Sequence, residues 1–372
     1  MNWTRASLAL LLAAALCLSV ACALAEGGDF IYTDVDGDGA VSAGDIVVIG
    51  VYPQTLVRDE ALLDALAPLG GALPTEEDPG DWISFGYLNN QQPSDFLFYR
   101  DVEWQGERYR GVVTLAYRSA AGNKENNADN SYVDDEGFEL GQAYWFVWEP
   151  IEWVVLGETE DGVLAQARYC LEAQPFQDLF EQAAKERFIP GTDIPVSDWE
   201  HCSLRAFLNG EFKELAFNEE QQARLQTVTL DNRTTGNEPD YERQTRQSDT
   251  QDQIFLLSIA DMRNTAYGYP TEDDYDKRIS QDREDPNGIP DAMLRRKSFT
   301  DYPLILGLRR SNMAWNNDGE PVCWWALRSA GDRQYNISGI TKYGSIQYSG
   351  SAVNAAYDVA AVCPAIVLDL SK

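Results

Sequence analysis

Apolar and polar positions alternate through Ile151-Glu152-Trp153-Val154-Val155-Leu156, and a period of two predicts a half-buried strand there. A second strand over 162–169 is expected to pair with it across the acidic turn at 158–161. The same reading gives strands at 46–53, 82–87, 109–115 and along the aromatic run 144–148, which closes at Glu149-Pro150. Leu56, Leu62, Leu63 and Leu66 predict a short amphipathic helix over 56–66. Further helices are expected over 175–188 and 204–208, the second preceded by the capping-box pattern Ser197-x-x-Glu200. Asn209-Gly210 interrupts that helix, 211–217 continues it after a kink, and Asn218 is placed to cap a last turn.

The chain turns β again at 324–329 and 344–348, and ends in an apolar strand over 361–368. Polar stretches at 119–136, 231–252 and 264–300 read as surface loops, the last two around a short core segment at 254–258. No tandem repeat of fixed period is visible. The elements add up to an α+β fold.

Residues 1–25 carry the three parts of an export signal: a basic start at Arg5, an apolar run from Leu8 to Val20, and a small-x-small site at Ala23-Leu24-Ala25. The apolar run is too short for a comfortable membrane span. Cleavage after Ala25 is expected, with lipid attachment at Cys22 as the alternative. The remainder divides into a short linker with an acidic loop (26–45), a β-rich part (46–156) and an α+β part (157–372) packed with it. A secreted or cell-surface location follows.

Charge narrows the partners. With 60 acidic and 29 basic residues the net charge is −31, so no basic stripe exists to neutralise nucleic-acid phosphates or to meet an anionic membrane. Cation binding is correspondingly favoured. Four cysteines lie beyond the signal: Cys170, Cys202, Cys323 and Cys363. In an oxidising compartment they allow two disulfides in three formal pairings, and local pairing (Cys170–Cys202 and Cys323–Cys363) is expected. A Cys/His zinc site is poorly supported by a single histidine, His201.

The segment most specific for a ligand is 34–45. Asp34, Asp36 and Asp38 stand at positions one, three and five of a twelve-residue loop. Gly39 allows the turn at six, Ala40 offers its carbonyl at seven, Ser42 a water-bridging hydroxyl at nine, and Asp45 closes the loop. Hard oxygen donors at that spacing suit one Ca²⁺ ion. The loop runs straight into a β-branched segment, where an EF-hand would start a helix. The stretch resembles one calcium segment of a dockerin. Dockerins carry two, each followed by a helix, so a single segment followed by a strand argues against cohesin binding.

Several longer motifs carry a second resemblance. They are Ile49-Gly50-Val51-Tyr52-Pro53-Gln54-Thr55, Trp104-Gln105-Gly106-Glu107-Arg108-Tyr109-Arg110-Gly111 and Tyr144-Trp145-Phe146 with Glu149-Pro150-Ile151-Glu152-Trp153. Trp199 to Asn209, Gln251 to Ser258, Trp324 to Ser329 and Val362-Cys363-Pro364-Ala365-Ile366 follow in order. Together these resemble an exported bacterial domain of unknown function, family 6273, over about residues 46–372. The terminal pattern is similar to C-type-lectin-like folds, including those of formylglycine-generating enzymes. The family has no established activity, so the resemblance transfers no catalytic residue. This chain departs from the family pattern with Ala326, Ala330 and Cys363, the last where an arginine is usual, which favours a local disulfide.

Among function classes, a hydrolase needs a nucleophile and a base, and His201 beside Cys202 does not form such a pair on a helix. Ten tryptophans and eighteen tyrosines suit a non-catalytic binding protein, with a glycan or a cell-wall or extracellular protein as partner. Tyr267, Tyr269, Tyr275 and Trp315 are the candidate contacts. A cell-envelope structural or adhesion component is the alternative reading, and a secreted enzyme the third.

Overall fold

A computed structural model describes residues 30–75, 77–85, 97–115, 137–177, 187–232, 247–269, 295–308, 319–331, 333–352 and 360–371. The signal, Cys22, Tyr275, Trp315 and most of the expected helix 175–188 lie outside them.

The strands in chain order are β1 (Ile31–Thr33), β2 (Ile46–Leu56), β3 (Ile83–Phe85), β4 (Leu97–Trp104), β5 (Glu107–Thr114), β6 (Ala143–Thr159), β7 (Gly162–Ala167) and β8 (Glu172–Gln174). They continue with β9 (Val228–Leu230), β10 (Thr250–Asp252), β11 (Ile254–Phe255), β12 (Trp325–Ala330), β13 (Asn336–Ile340), β14 (Ile346–Ala352), β15 (Ala360–Val362) and β16 (Ala365–Leu368). Nine form one sheet in the order β11-β16-β7-β6-β5-β4-β3, with β2 on β6 and β1 on β2. Five form a second sheet, β14-β13-β12-β15-β8, and β9 pairs with β10. Short helices fill the connections. This is a mixed α+β fold with several sheets.

β6 is the spine. It pairs with β5 along its first half, with β7 along its second, and with β2 between Phe146 and Val154. The strand expected to close at Glu149-Pro150 therefore continues through it. Proline cannot donate to a ladder, and the β2–β6 register shifts between Val48 and Val51, beside Pro150. Gln54 fills the irregularity by donating from Nε2 to the carbonyls of Glu149 and Pro150, at 2.9 and 3.0 Å. The alternation read from 151–156 holds: Ile151, Trp153 and Val155 are buried while Glu152 is not. Trp153 donates from Nε1 to the Ile49 carbonyl at 2.9 Å, so even its polar atom is satisfied inside.

Several expectations need correction. The helix expected at 56–66 begins four residues later, at Glu60–Gly70, because Leu56 pairs with Phe146 as a strand residue and Asp59 caps the helix through Leu62 N–H. The capping box at Ser197 and Glu200 does not form. The helix Ser203–Phe207 is capped by Cys202, whose sulfur accepts from Arg205 N–H at 3.4 Å. The closing strand divides at Cys363-Pro364: β15 lies in the five-stranded sheet and β16 in the nine-stranded one. A π-turn at Leu208–Phe212 stands where Asn209-Gly210 is expected to interrupt the helix, and a capping box forms from Asn218 to Gln221. The stretches expected as surface loops at 231–252 and 264–300 instead contribute β10 and the buried residues Asn232, Asp252 and Arg295.

Gly111 of β5 shows how closely this frame is packed. A Cβ there would lie 2.8 Å from the Trp145 ring and 3.0 Å from Trp82. Gly111→Ala is expected to cost about 1–3 kcal/mol, since neither indole can retreat without disturbing the other. Thermal unfolding would read the loss, and an unchanged midpoint would show that the two indoles can part.

Candidate metal centre

The acidic loop is the connection of a hairpin. β1 pairs antiparallel with the start of β2, Tyr32 opposite Val47 and Thr33 opposite Ile46, so residues 34–45 are held at both ends by a ladder. The expectation of a linker over 26–45 is thus replaced, for the described residues, by a β-hairpin that belongs to the large sheet. Gly44 N–H donates to the Val155 carbonyl and Val155 N–H to the Asp45 carbonyl, which ties the loop base to β6.

Inside the loop the carboxylates fold the backbone around themselves. Asp34 accepts from Gly37 N–H at 2.6 Å and from Gly39 N–H at 2.8 Å. Asp36 accepts from Asp38 N–H and Asp38 from Ala40 N–H. Gly37 and Gly39 take φ of 75° and 78°, the left-handed conformation that glycine adopts without cost. One carboxylate oxygen from each of Asp34, Asp36 and Asp38 then lies within 4.8 Å of the others, an arrangement that could coordinate a metal ion.

The other three residues of the expected ligand set are placed differently. Asp45 lies at the loop base and is buried. Its carboxylate accepts from Val35 N–H at 2.8 Å, Ser42 N–H at 2.8 Å and the Tyr32 hydroxyl at 2.6 Å. Burial works to raise the Asp45 carboxyl, yet these hydrogen bonds outweigh it and hold it below the ordinary carboxylate value. Tyr32 also lies 3.1 Å from the Ala40 carbonyl. Ser42 Oγ sits between Asp36 and Asp45, at 3.4 and 3.3 Å. Asp45 thus locks the loop shut, and Tyr32, which the sequence reading overlooked, is its main side-chain partner.

A second group able to hold a metal comprises Asp198, Glu200 and His201. His201 Nδ1 is 2.6 Å from Asp198 Oδ2, and the imidazole is half-exposed. Its neighbour Cys202 is a buried free thiol used as a helix cap. Among the described residues no clear catalytic site emerges.

The structure also gathers a polar cluster that no motif announced. Tyr52 donates to Glu172 Oε2 at 2.6 Å, and Tyr302 lies with its ring 5.8 Å from that of Tyr52. Arg110 makes a two-pronged pair with Asp101, at 2.9 Å on both oxygens, and approaches the Tyr302 hydroxyl. Burial pushes the Glu172 carboxyl up to about 7, against the opposing pull of Tyr52, Ala173 N–H and Arg110. Gln174, two residues along β8 and so on the same face, has neither amide atom hydrogen-bonded.

Of the expected ligand contacts, Tyr269 is buried, with its hydroxyl 3.3 Å from Gln166 Oε1, and Tyr267 is half-buried against Gly157. Tyr269 therefore serves the core. The expected cysteine pairing is not the proximity found: Cys170 Sγ is 3.8 Å from Cys323 Sγ, with all four thiols free and buried.

Residues 190–370 match the family model for a domain of unknown function, DUF6273, and that segment is assigned to it. The match covers the second half of the chain, against the 46–372 expected from the motifs. No curated protein matches the chain, and no solved structure does. Among the described residues no helix is long and apolar enough to cross a membrane.

Proposed function

We propose that the chain is an exported, non-catalytic binding protein of the cell exterior that carries one Ca²⁺ ion in the 34–45 hairpin. The observation that supports this most directly is the convergence of Asp34, Asp36 and Asp38 within a loop whose ends are fixed in a sheet. Three hard, flexible carboxylates favour Ca²⁺ over the softer transition metals, which seek imidazole or thiolate. The Ala40 carbonyl and Ser42 complete the set, and Asp45 sets its geometry from below. A loop anchored this way loses little conformational freedom when it binds, which favours affinity.

The bound partner is read as a glycan or an extracellular protein met by the C-terminal part, with a C-type-lectin-like arrangement of its β-rich end. With Tyr269 in the core, that reading rests on Tyr267, Tyr275 and Trp315. Calorimetric titration of residues 26–372 with Ca²⁺ tests the metal. One saturable site, lost in an Asp34→Ala/Asp36→Ala variant that keeps its unfolding midpoint in the absence of Ca²⁺, is the expected result. Absence of heat together with an unmoved melting temperature would reduce the loop to a structural hairpin.

A further inference from the structure

Three of the four thiols meet where the chain passes between its two large sheets. Cys170 lies between β7 of the nine-stranded sheet and β8 of the five-stranded one. Cys363 lies at the reverse crossing, between β15 and β16, and Cys323 stands two positions before β12. Cys170 N–H donates to the Ser298 carbonyl and Cys323 N–H to the Lys297 carbonyl, so one segment holds both residues in place. All three are buried.

We propose that Cys170 and Cys323 form a disulfide that staples this junction. Their sulfurs are 3.8 Å apart. A disulfide needs about 2.05 Å, so forming the bridge requires the two sulfurs to approach further. Cys363 also contacts Cys170, so it is the competing partner that the test must separate. Cys363 Sγ faces the carbonyls of Ala167 at 3.2 Å and Tyr169 at 3.9 Å. Cys202 Sγ caps its helix.

The oxidation balances with a small-molecule or protein disulfide as oxidant. One cysteine thiolate attacks it, releasing one thiol, and the second cysteine displaces the other. The protein pair loses two electrons and the oxidant leaves as two thiols. Burial pushes the Cys170 thiol well up in the folded chain, so the reaction belongs to folding, before the junction closes. Burial raises the Cys363 thiol as well, which keeps this neighbour protonated and a poor competitor for the finished bridge. The compartment that supplies the oxidant follows from the export proposed above.

The test is peptide mapping without reduction, after refolding the chain in a glutathione/glutathione-disulfide buffer and blocking free thiols under denaturing conditions. A peptide joining Cys170 to Cys323, with Cys202 and Cys363 blocked, is the expected result. Cys363→Ser should keep the link, and reduction should lower the melting temperature by about 5–15 °C, because the bridge closes a span of 153 residues. Four blocked thiols, or Cys170 joined to Cys202 or Cys363, would overturn the proposal. A link that forms in the buffer but is missing from cell-derived protein would support the geometry and count against export.

Discussion

Replacement of Arg328 by methionine should destabilise the protein by about 3–5 kcal/mol, the range for removing one partner of a buried ion pair. Arg328 is 5 % exposed. Its Nη1 donates to Asp261 Oδ2 at 2.8 Å and to the Leu256 carbonyl at 2.7 Å, and its Nε donates to Asn232 Oδ1 at 3.1 Å. Asp261 in turn completes the capping box of the helix Ile259–Met262, accepting from the backbone and hydroxyl of its N-cap Ser258. One guanidinium thus joins β12 to a helix cap and to the segments that bear Leu256 and Asn232. Methionine would fill the volume but leave a carbonyl, an amide oxygen and a carboxylate without their donor. Arg328→Lys should fall between the two, since an ammonium keeps the charge but cannot span three acceptors with a planar fork. Denaturant unfolding measures the difference, and a methionine variant within 1 kcal/mol of the parent would show that these acceptors find water instead.

The Arg328 motif was visible in the sequence because its tryptophans and arginine form a compact pattern, but its partners were not. Asp261, Leu256 and Asn232 lie 67, 72 and 96 positions away. The same distinction runs through the molecule. The 34–45 loop was legible because ligand spacing and glycine placement are local, and the strand after it because β-branched residues follow one another. The hairpin was not, since its first strand is only three residues, Ile31-Tyr32-Thr33. Pro150 suggested an ending, yet β2 pairs across it and the side chain of Gln54, far away in sequence, hydrogen-bonds the carbonyls there. Cysteine pairing read by proximity in sequence missed that Cys170 and Cys363 lie at opposite crossings between sheets.

Glu172 is the extreme case, a charged residue amid Cys170-Leu171-Glu172-Ala173-Gln174 with nothing to mark it, and it yields the other large effect. Its carboxyl is pushed from 4.5 up to about 7 by burial. The folded chain therefore holds a proton that the unfolded chain releases at about 4.5. Stability from this group is fully present below pH 4.5 and is lost as pH rises through 7, a change of about 3 kcal/mol for a shift of this size. Asp45 and Asp101 act in the opposite sense, their values lowered by hydrogen bonds and by Arg110 and Arg108, respectively, against the cost of burial. Their contribution is lost only as pH falls below the ordinary carboxylate range, outside the window where Glu172 titrates. Glu149, raised by burial, works in the same direction as Glu172, so the decisive comparison is between two chains rather than two pH values. Glu172→Gln preserves the shape and can still meet Tyr52 and Ala173 N–H, but has no proton to lose. The variant should match the parent near pH 4.5 and exceed it by about 3 kcal/mol at pH 8. Parallel stability curves from pH 4.5 to 8 would mean that Glu172 is charged throughout, held by Tyr52 and Arg110 more firmly than burial opposes it.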